Sequence, residues 1–235
     1  MKYKLIIKTG VPVADVAAEY GLFEDWIARE LGDTAADWQV VDVQHGAELP
    51  AVAEVAAAII TGSAAMVSER AAWSEATADW LRCAHAAEVP LLGICYGHQL
   101  LAHALGGEVS YHPQGPEVGV VTVQRLPAAQ DDQLLGALPA QFPAAVIHWQ
   151  SVLALPPGAV RLAENSFEPN HAFRCGSARG VQFHPEFNDT VMGSYLQRLA
   201  EKLSQEGLDP SALQQQLRPT PEANRLLWRF GQLAG

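Results

Sequence analysis

An α/β fold built on a largely parallel sheet is what this chain of 235 residues predicts, and three observations predict it. Short apolar runs of strand length alternate with helix-like segments as far as Gly107, the pattern of parallel strands joined by crossover helices. Beyond it, strand-like runs follow one another with Pro or Gly breaks, which adds sheet, some of it antiparallel. After Glu186 the chain reads as helix to its end.

Residues 3–8 read as the first strand and 13–31 as an amphipathic helix ending near Gly32. Residues 38–43 form the second strand and 57–61 the third, cut off by Gly62-Ser63. Residues 69–87 have helical periodicity, with Trp73 and Trp80 seven apart and so on one face. Residues 89–94 make a short apolar strand, and 98–105 a helix closed by Gly106-Gly107. Further strands are expected at 118–126, 145–155, 160–163, 171–175 and 180–183, and helices at 190–206, 210–217 and 222–233. There is no internal repeat or low-complexity segment.

Composition excludes several classes. With 49% hydrophobic and 17% charged residues the chain is expected to bury a sizeable core. The net charge of −11 repels phosphate backbones, and no dense Lys/Arg cluster interrupts it, so nucleic-acid binding is not expected. No apolar run reaches the length of a membrane span, and the opening residues are too short an apolar run for a signal peptide. Three cysteines, at 83, 95 and 175, make no CxxC pair or Cys/His ladder. Reduced thiols in a cytoplasmic protein, with neither metal nor cofactor, are the simplest expectation.

The strongest chemical signal is Pro90-Leu91-Leu92-Gly93-Ile94-Cys95-Tyr96-Gly97-His98-Gln99. A buried strand runs into Gly-x-Cys-x-Gly and straight on into a helix, the setting of a nucleophile elbow with cysteine in place of serine. Composition alone gives about 0.02 chance matches to this pattern in a shuffled chain. Cys95 at a helix N-terminus meets free N–H groups and the positive dipole end, which favour a thiolate. The Tyr96 N–H could also hold an oxyanion. The competing reading is a small buried cysteine at a strand–helix junction. Cys83 and Cys175 have no such setting and read as filler.

A thiol nucleophile needs a base, and the base an orienting partner. Gly180-Val181-Gln182-Phe183-His184-Pro185-Glu186 offers both: His184 to take and return the Cys95 proton, Glu186 to fix the imidazole. A strand is expected to end in this His-Pro-Glu, and residues two apart on an extended chain project to the same side. Without Cys95 the pair would be a turn histidine and a solvated glutamate. Of the other histidines, His98 could shape the elbow, His85 and His103 read as helix-face residues, and His45, His112 and His171 have no visible partner. His148, in a strand, could approach the site.

These segments carry a family likeness. Leu92 to Leu101 with Leu105-Gly106-Gly107, and Gly180 to Glu186 downstream, resemble the paired signature segments of class I glutamine amidotransferases. Ile59-Ile60-Thr61-Gly62-Ser63 resembles the family's glycine loop. The resemblance implies a flavodoxin-like sheet flanked by helices, with a catalytic domain over 1–187 and a helical extension, 188–235, packed on it. It implies Cys95, His184 and Glu186 as a triad and Gly62 and Tyr96 as oxyanion donors. Gln99, Ser63 and His148 would then contact a γ-glutamyl substrate. Two places depart from the family pattern: Thr61-Gly62-Ser63-Ala64-Ala65 stands for a Gly-Gly-Pro type loop, and His148-Trp149-Gln150 for His-x-Asp.

The expected reaction is hydrolysis of glutamine to glutamate and ammonia through a thioester. Because the triad region and the helices occupy the sequence, amide transfer would need a synthetase partner chain to accept the ammonia. The alternatives are a γ-glutamyl peptidase or γ-glutamyl-amine hydrolase acting alone, and an idle binding module that keeps the fold.

Overall fold

In the computed structural model, which describes residues 2–234, strand β1 (Tyr3–Lys8) is followed by helices α1 (Ala14–Tyr20) and α2 (Phe23–Leu31). The single helix expected over 13–31 is thus two. Gly21 takes a positive φ of 87°, and the Asp25 carboxylate accepts the Leu22 N–H at 2.8 Å, which starts α2 afresh. Strands β2 (Trp38–Asp42) and β3 (Val55–Ile60), helix α3 (Ala72–Ala86), strand β4 (Leu91–Ile94) and helix α4 (Tyr96–Ala104) complete the alternating part. Helix α4 begins two residues earlier than the sequence suggests.

The second part contains β5 (Glu108–Tyr111), β6 (Glu117–Arg125), β7 (Gln141–His148), β8 (Gln150–Ala154), β9 (Val160–Glu164), β10 (Ala172–Cys175) and β11 (Ala178–Val181). Helices α5 (Asp189–Arg198), α6 (Ala200–Gln205), α7 (Pro210–Gln215) and α8 (Pro221–Leu233) follow. The helix expected over 190–206 breaks at Leu199. The run 145–155, expected as one strand, is two strands in different sheets: β7 pairs with β6, while β8 pairs with β5. Apolar residues continue across the change at Trp149, so periodicity does not mark it. Strand β5, Glu-Val-Ser-Tyr, lacks an apolar run and escaped the sequence reading.

The main sheet has nine strands in the order β2-β1-β3-β4-β11-β10-β9-β6-β7. The first five are parallel and the remaining pairings antiparallel. The expected mixed sheet, mostly parallel at its centre and flanked by helices, is therefore present. Alternation divides the strand side chains between two layers. Ile6, Ala57, Ile59, Leu92 and Ile94 join Ile27 and Leu31 of α2 and Leu226, Leu227 and Phe230 of α8 in one core. Leu5, Ile7, Ala58, Ile60 and Leu91 join Leu81 of α3 and Leu100 and Leu101 of α4 in the other. A third core places α1, α2, α5 and α6 around Phe187 and strands β6 and β7. No helix among the described residues is long and apolar enough to cross a membrane.

Candidate active site

The carboxyl ends of neighbouring parallel strands are where loops converge in open α/β sheets. Here β4 lies between β3 and β11, with Ile60 opposite Gly93 and Ile94 opposite Val181. The Cys95 N–H bonds the Val181 carbonyl at 2.9 Å, and the Gly97 N–H bonds the Thr61 carbonyl at 3.2 Å. Three segments far apart in sequence are thereby tied at one point: the loop after β3, the elbow after β4 and the turn after β11.

The elbow is strained and admits little at its flanks. Cys95 has φ 50° and ψ −102°, a conformation a non-glycine residue rarely holds, costing on the order of 1–3 kcal/mol. A Cβ at Gly93 would stand 2.3 Å from the Gly97 carbonyl oxygen, and one at Gly97 2.4 Å from that of Ile60. Only glycine on both sides lets strand and helix approach this closely. The Cys95 thiol is directed to the Ile147 carbonyl at 3.8 Å.

His184 and Glu186 sit on a turn rather than along a strand, since β11 stops at Val181 and the Phe187 N–H bonds back to the His184 carbonyl at 3.3 Å. The turn, not strand alternation, brings the two side chains together. His184 Nδ1 donates to Glu186 Oε1 at 2.7 Å, and both residues are buried. His184 Nε2 has no hydrogen bond among the described residues. Burial opposes charging this imidazole, yet the charges of Glu186 and Cys95 overcome it and raise its pKa to about 10. The ring is packed by Phe187, stacked at 4.2 Å, and Phe23 at 6.3 Å.

The turn is also held from outside. The His184 N–H bonds the Ala145 carbonyl at 2.8 Å, and Arg29 Nη2 donates to the Glu186 carbonyl at 3.1 Å. Asn224 of α8 donates through one amide nitrogen to the carbonyls of Pro185 (2.7 Å) and Phe187 (2.8 Å). One residue of the C-terminal helices, Asn224, thus supports the His-Pro-Glu turn, which no local motif announced.

A cavity of about 210 Å³ opens above Cys95 and His184. Tyr96, Gln99, Ser63 and His148 line it with them. Gly62 backs the His184 ring, where a Cβ would lie 3.1 Å from Cε1, and its carbonyl accepts from the Thr9 (3.2 Å) and Thr61 (3.0 Å) hydroxyls. The backbone N–H groups of Gly62 and Tyr96 make no hydrogen bond among the described residues. The Tyr96 phenol points away into the core, bonded to Ser74 at 2.6 Å, and burial pushes its pKa up to about 12. Gln99 uses its amide nitrogen on the Gln150 carbonyl (2.6 Å) and on Gln182 Oε1 (3.0 Å).

Residues 16–202 match the profile of the family described as Glutamine amidotransferase class-I. The chain belongs to that family. Among curated relatives, the GMP synthase [glutamine-hydrolyzing] of Thermomicrobium roseum is 42% identical over 110 residues, 47% of this chain and 20% of the relative. The chain spans about a fifth of the length of the first such relatives it matches. Gamma-glutamyl peptidase 4 of Arabidopsis thaliana is 28% identical over 210 residues, 84% of this chain and 80% of the relative. The fold matches a glutamine amidotransferase crystal structure from Thermotoga maritima with a TM-score of 0.76 at 22% identity, covering 99% of this chain and 97% of that one.

Within this amidotransferase fold, His148 lies at the pocket with its ring nitrogens already engaged. Nδ1 donates to the Gln150 carbonyl at 3.0 Å, and Nε2 stands 3.0 Å from Glu117 Oε2. His171, for which the sequence offered no partner, lies 3.3 Å from the same carboxylate oxygen. His98 is fully buried beside Phe173, and burial lowers its pKa to about 3. Sequence reasoning missed Phe23, Phe187, Tyr195, Leu199 and Lys202 in the pocket wall. Only the helical pattern after Glu186 hinted that this segment could reach the site.

Proposed function

We propose that this chain hydrolyses a γ-glutamyl amide with Cys95 as nucleophile, His184 as base and acid, and Glu186 as the group orienting His184. The observation that carries it is the floor of one pocket: a cysteine held in a strained elbow beside a histidine with Nδ1 fixed by a carboxylate and Nε2 open. Rotation of the thiol from Ile147 toward Nε2 starts the reaction, as unliganded sites commonly tighten when substrate binds. The proton passes first from Sγ to Nε2 of His184, whose raised pKa favours the imidazolium, and the thiolate then attacks the γ-carbonyl carbon. The oxyanion forms against the Gly62 and Tyr96 N–H groups. His184 returns the proton to the leaving nitrogen, the C–N bond breaks, and a thioester remains. Water, deprotonated by His184, attacks the thioester and regenerates the thiol. Gln99, Ser63 and the His148 segment would contact the glutamyl portion.

In this reading residues 1–187 form the catalytic domain, and 188–235 an extension that braces it and closes one side of its pocket. Two outcomes of the same chemistry are open to it. A glutaminase passing ammonia to a synthetase partner fits the relatives named GMP synthase. A γ-glutamyl peptidase acting alone fits the relative that matches most of this chain. Specificity constants for glutamine, γ-glutamyl peptides and γ-glutamyl amines, with Cys95→Ala as blank, decide between them. Glutamine winning, with a sharp rise when a synthetase is added, marks an amidotransferase subunit. A larger amide winning marks a hydrolase. No turnover with any of them, with or without a synthetase, sinks the proposal and leaves an idle module of the same fold.

A further inference from the structure

Among the described residues, the lining of the pocket has one side chain of permanent charge, and it comes from the C-terminal helices. Lys202 of α6 places its ammonium 4.0 Å from the centre of the Trp149 ring. The other two ionisable groups with ring nitrogens there already have carboxylate neighbours: Glu186 for His184 and Glu117 for His148. Lys202 has no carboxylate within salt-bridge distance among the described residues. Its position is set by Trp149, which is itself held in place. Trp149 attracts the cation through the face of its ring, and the indole N–H donates to Glu206 Oε1 at 3.1 Å, one helical turn beyond Lys202. A lysine tethered to an aromatic ring in the wall of a pocket that has no acidic side chain among the described residues offers its charge to whatever enters.

Which part of a substrate meets it follows from the wall it stands on. His184 must hand a proton to the leaving nitrogen, so the leaving group lies on the His184 side of Cys95. That side continues outward through aromatic contacts: Phe187 stacks on His184 at 4.2 Å, and Tyr195 stacks on Phe187 at 5.2 Å. Tyr195, Leu199 and Lys202 then follow along α5 and α6, and all three line the cavity. Ser63 and Gln99 come instead from other elements, the loop after β3 and α4.

We infer that Lys202 binds a carboxylate on the leaving group, so that the substrate is a γ-glutamyl amino acid or short γ-glutamyl peptide with a free C-terminus. The inference rests on the hydrolase reading above and narrows it: ammonia leaving from glutamine gives Lys202 nothing to hold. Leu199 and Tyr195 provide apolar surface for the side chain of the departing residue.

The test compares γ-glutamylglycine with γ-glutamylglycinamide, which differ by one charge at the leaving end, in the wild type, Lys202→Met and Lys202→Arg. The wild type should prefer the acid by about tenfold or more in kcat/KM, expressed in KM, as for a charge-assisted contact. Lys202→Met should erase that preference, and Lys202→Arg should keep most of it. A merely structural role would lower both substrates together, and equal losses on both, or an unchanged preference, would overturn the assignment. Binding of the two compounds to Cys95→Ala, measured by calorimetry with and without Lys202→Met, reads the subsite independently of turnover. Preferential binding of the acid that vanishes with Lys202→Met, in a protein whose wild type turns over nothing, would keep the carboxylate site and discard the hydrolase. Turnover without any preference for the acid in either assay would do the reverse.

Discussion

Two histidine–carboxylate pairs lie at this pocket, and they differ in which nitrogen faces the acid. In His184–Glu186 the carboxylate meets Nδ1 at 2.7 Å, leaving Nε2 open toward Cys95. In His148–Glu117 the carboxylate meets Nε2 at 3.0 Å while Nδ1 is spent on the Gln150 carbonyl. Both pairs are buried, so burial and a carboxylate neighbour do not by themselves make a base. An open second nitrogen does. The Glu117 pair is further tied down by Asn165, whose amide donates to Oε1 at 2.6 Å, and by His171. Burial works against the Glu117 charge, but the hydrogen bond with His148 and the neighbouring His171 imidazole hold its carboxyl well below the usual range. In the proposed reaction the first pair moves a proton, while the second ties strand β6 to the turn between β7 and β8.

The sharpest way to break this comparison is to remove the groups proposed to transfer the proton. Cys95→Ala and His184→Ala should each cost about 10⁴-fold or more in kcat with an unchanged fold by circular dichroism. Glu186→Gln should cost about 10²–10⁴-fold, because it orients rather than reacts. Glu117→Gln, chemically the same change, should cost less than about tenfold in kcat while lowering unfolding free energy by about 3 kcal/mol in denaturant titration. If Glu117→Gln proved the more damaging to turnover, the roles assigned to the two pairs would have to be exchanged.

The two pairs should also oppose one another in pH. His184 has a folded pKa near 10, above its unfolded value of about 6.5, so its contribution to stability is complete below about pH 6.5. That contribution is lost as pH rises through about 10. Glu117 has a lowered folded pKa, so its contribution is present above the usual carboxylate range and is lost as pH falls through the lowered value. Unfolding free energies measured from pH 3 to pH 10 should therefore fall at both ends. His184→Gln should flatten the alkaline limb by about one proton's slope, and Glu117→Gln the acidic limb. An alkaline limb unaltered by His184→Gln would remove the link between its packing and its charge.

The smallest effect should come from outside both pairs. Asn224→Ala deletes the two bonds to Pro185 and Phe187 and should lower stability by about 1–2 kcal/mol. It should reduce kcat several-fold with little change in KM, as expected of a displaced turn. Full retention of kcat would mean that Arg29 and the Ala145 bond hold the turn unaided.

By itself the sequence determined what is local. Gly93 and Gly97 around Cys95 mark a close strand–helix approach within five residues, and the structure places the elbow there for that reason. Alternating apolar runs determined a mixed, centrally parallel sheet, because burial on two faces writes itself into short segments. His184 and Glu186, two apart, share a hydrogen bond, although a turn rather than a strand brings them together. What only the tertiary structure decided depends on strand order and on contacts between distant residues. That β4 lies beside β11 joins Cys95 to His184, and no periodicity encodes which strands become neighbours. Glu117, His148 and His171 look unrelated in sequence and meet only because β6 pairs with β7 and the chain returns past them. Trp149 sits where one apolar run changes sheets, and Lys202 reaches it from a helix 53 residues later. Side chains of that kind are chosen for surroundings assembled from the whole chain, so their neighbours along the sequence carry no trace of them.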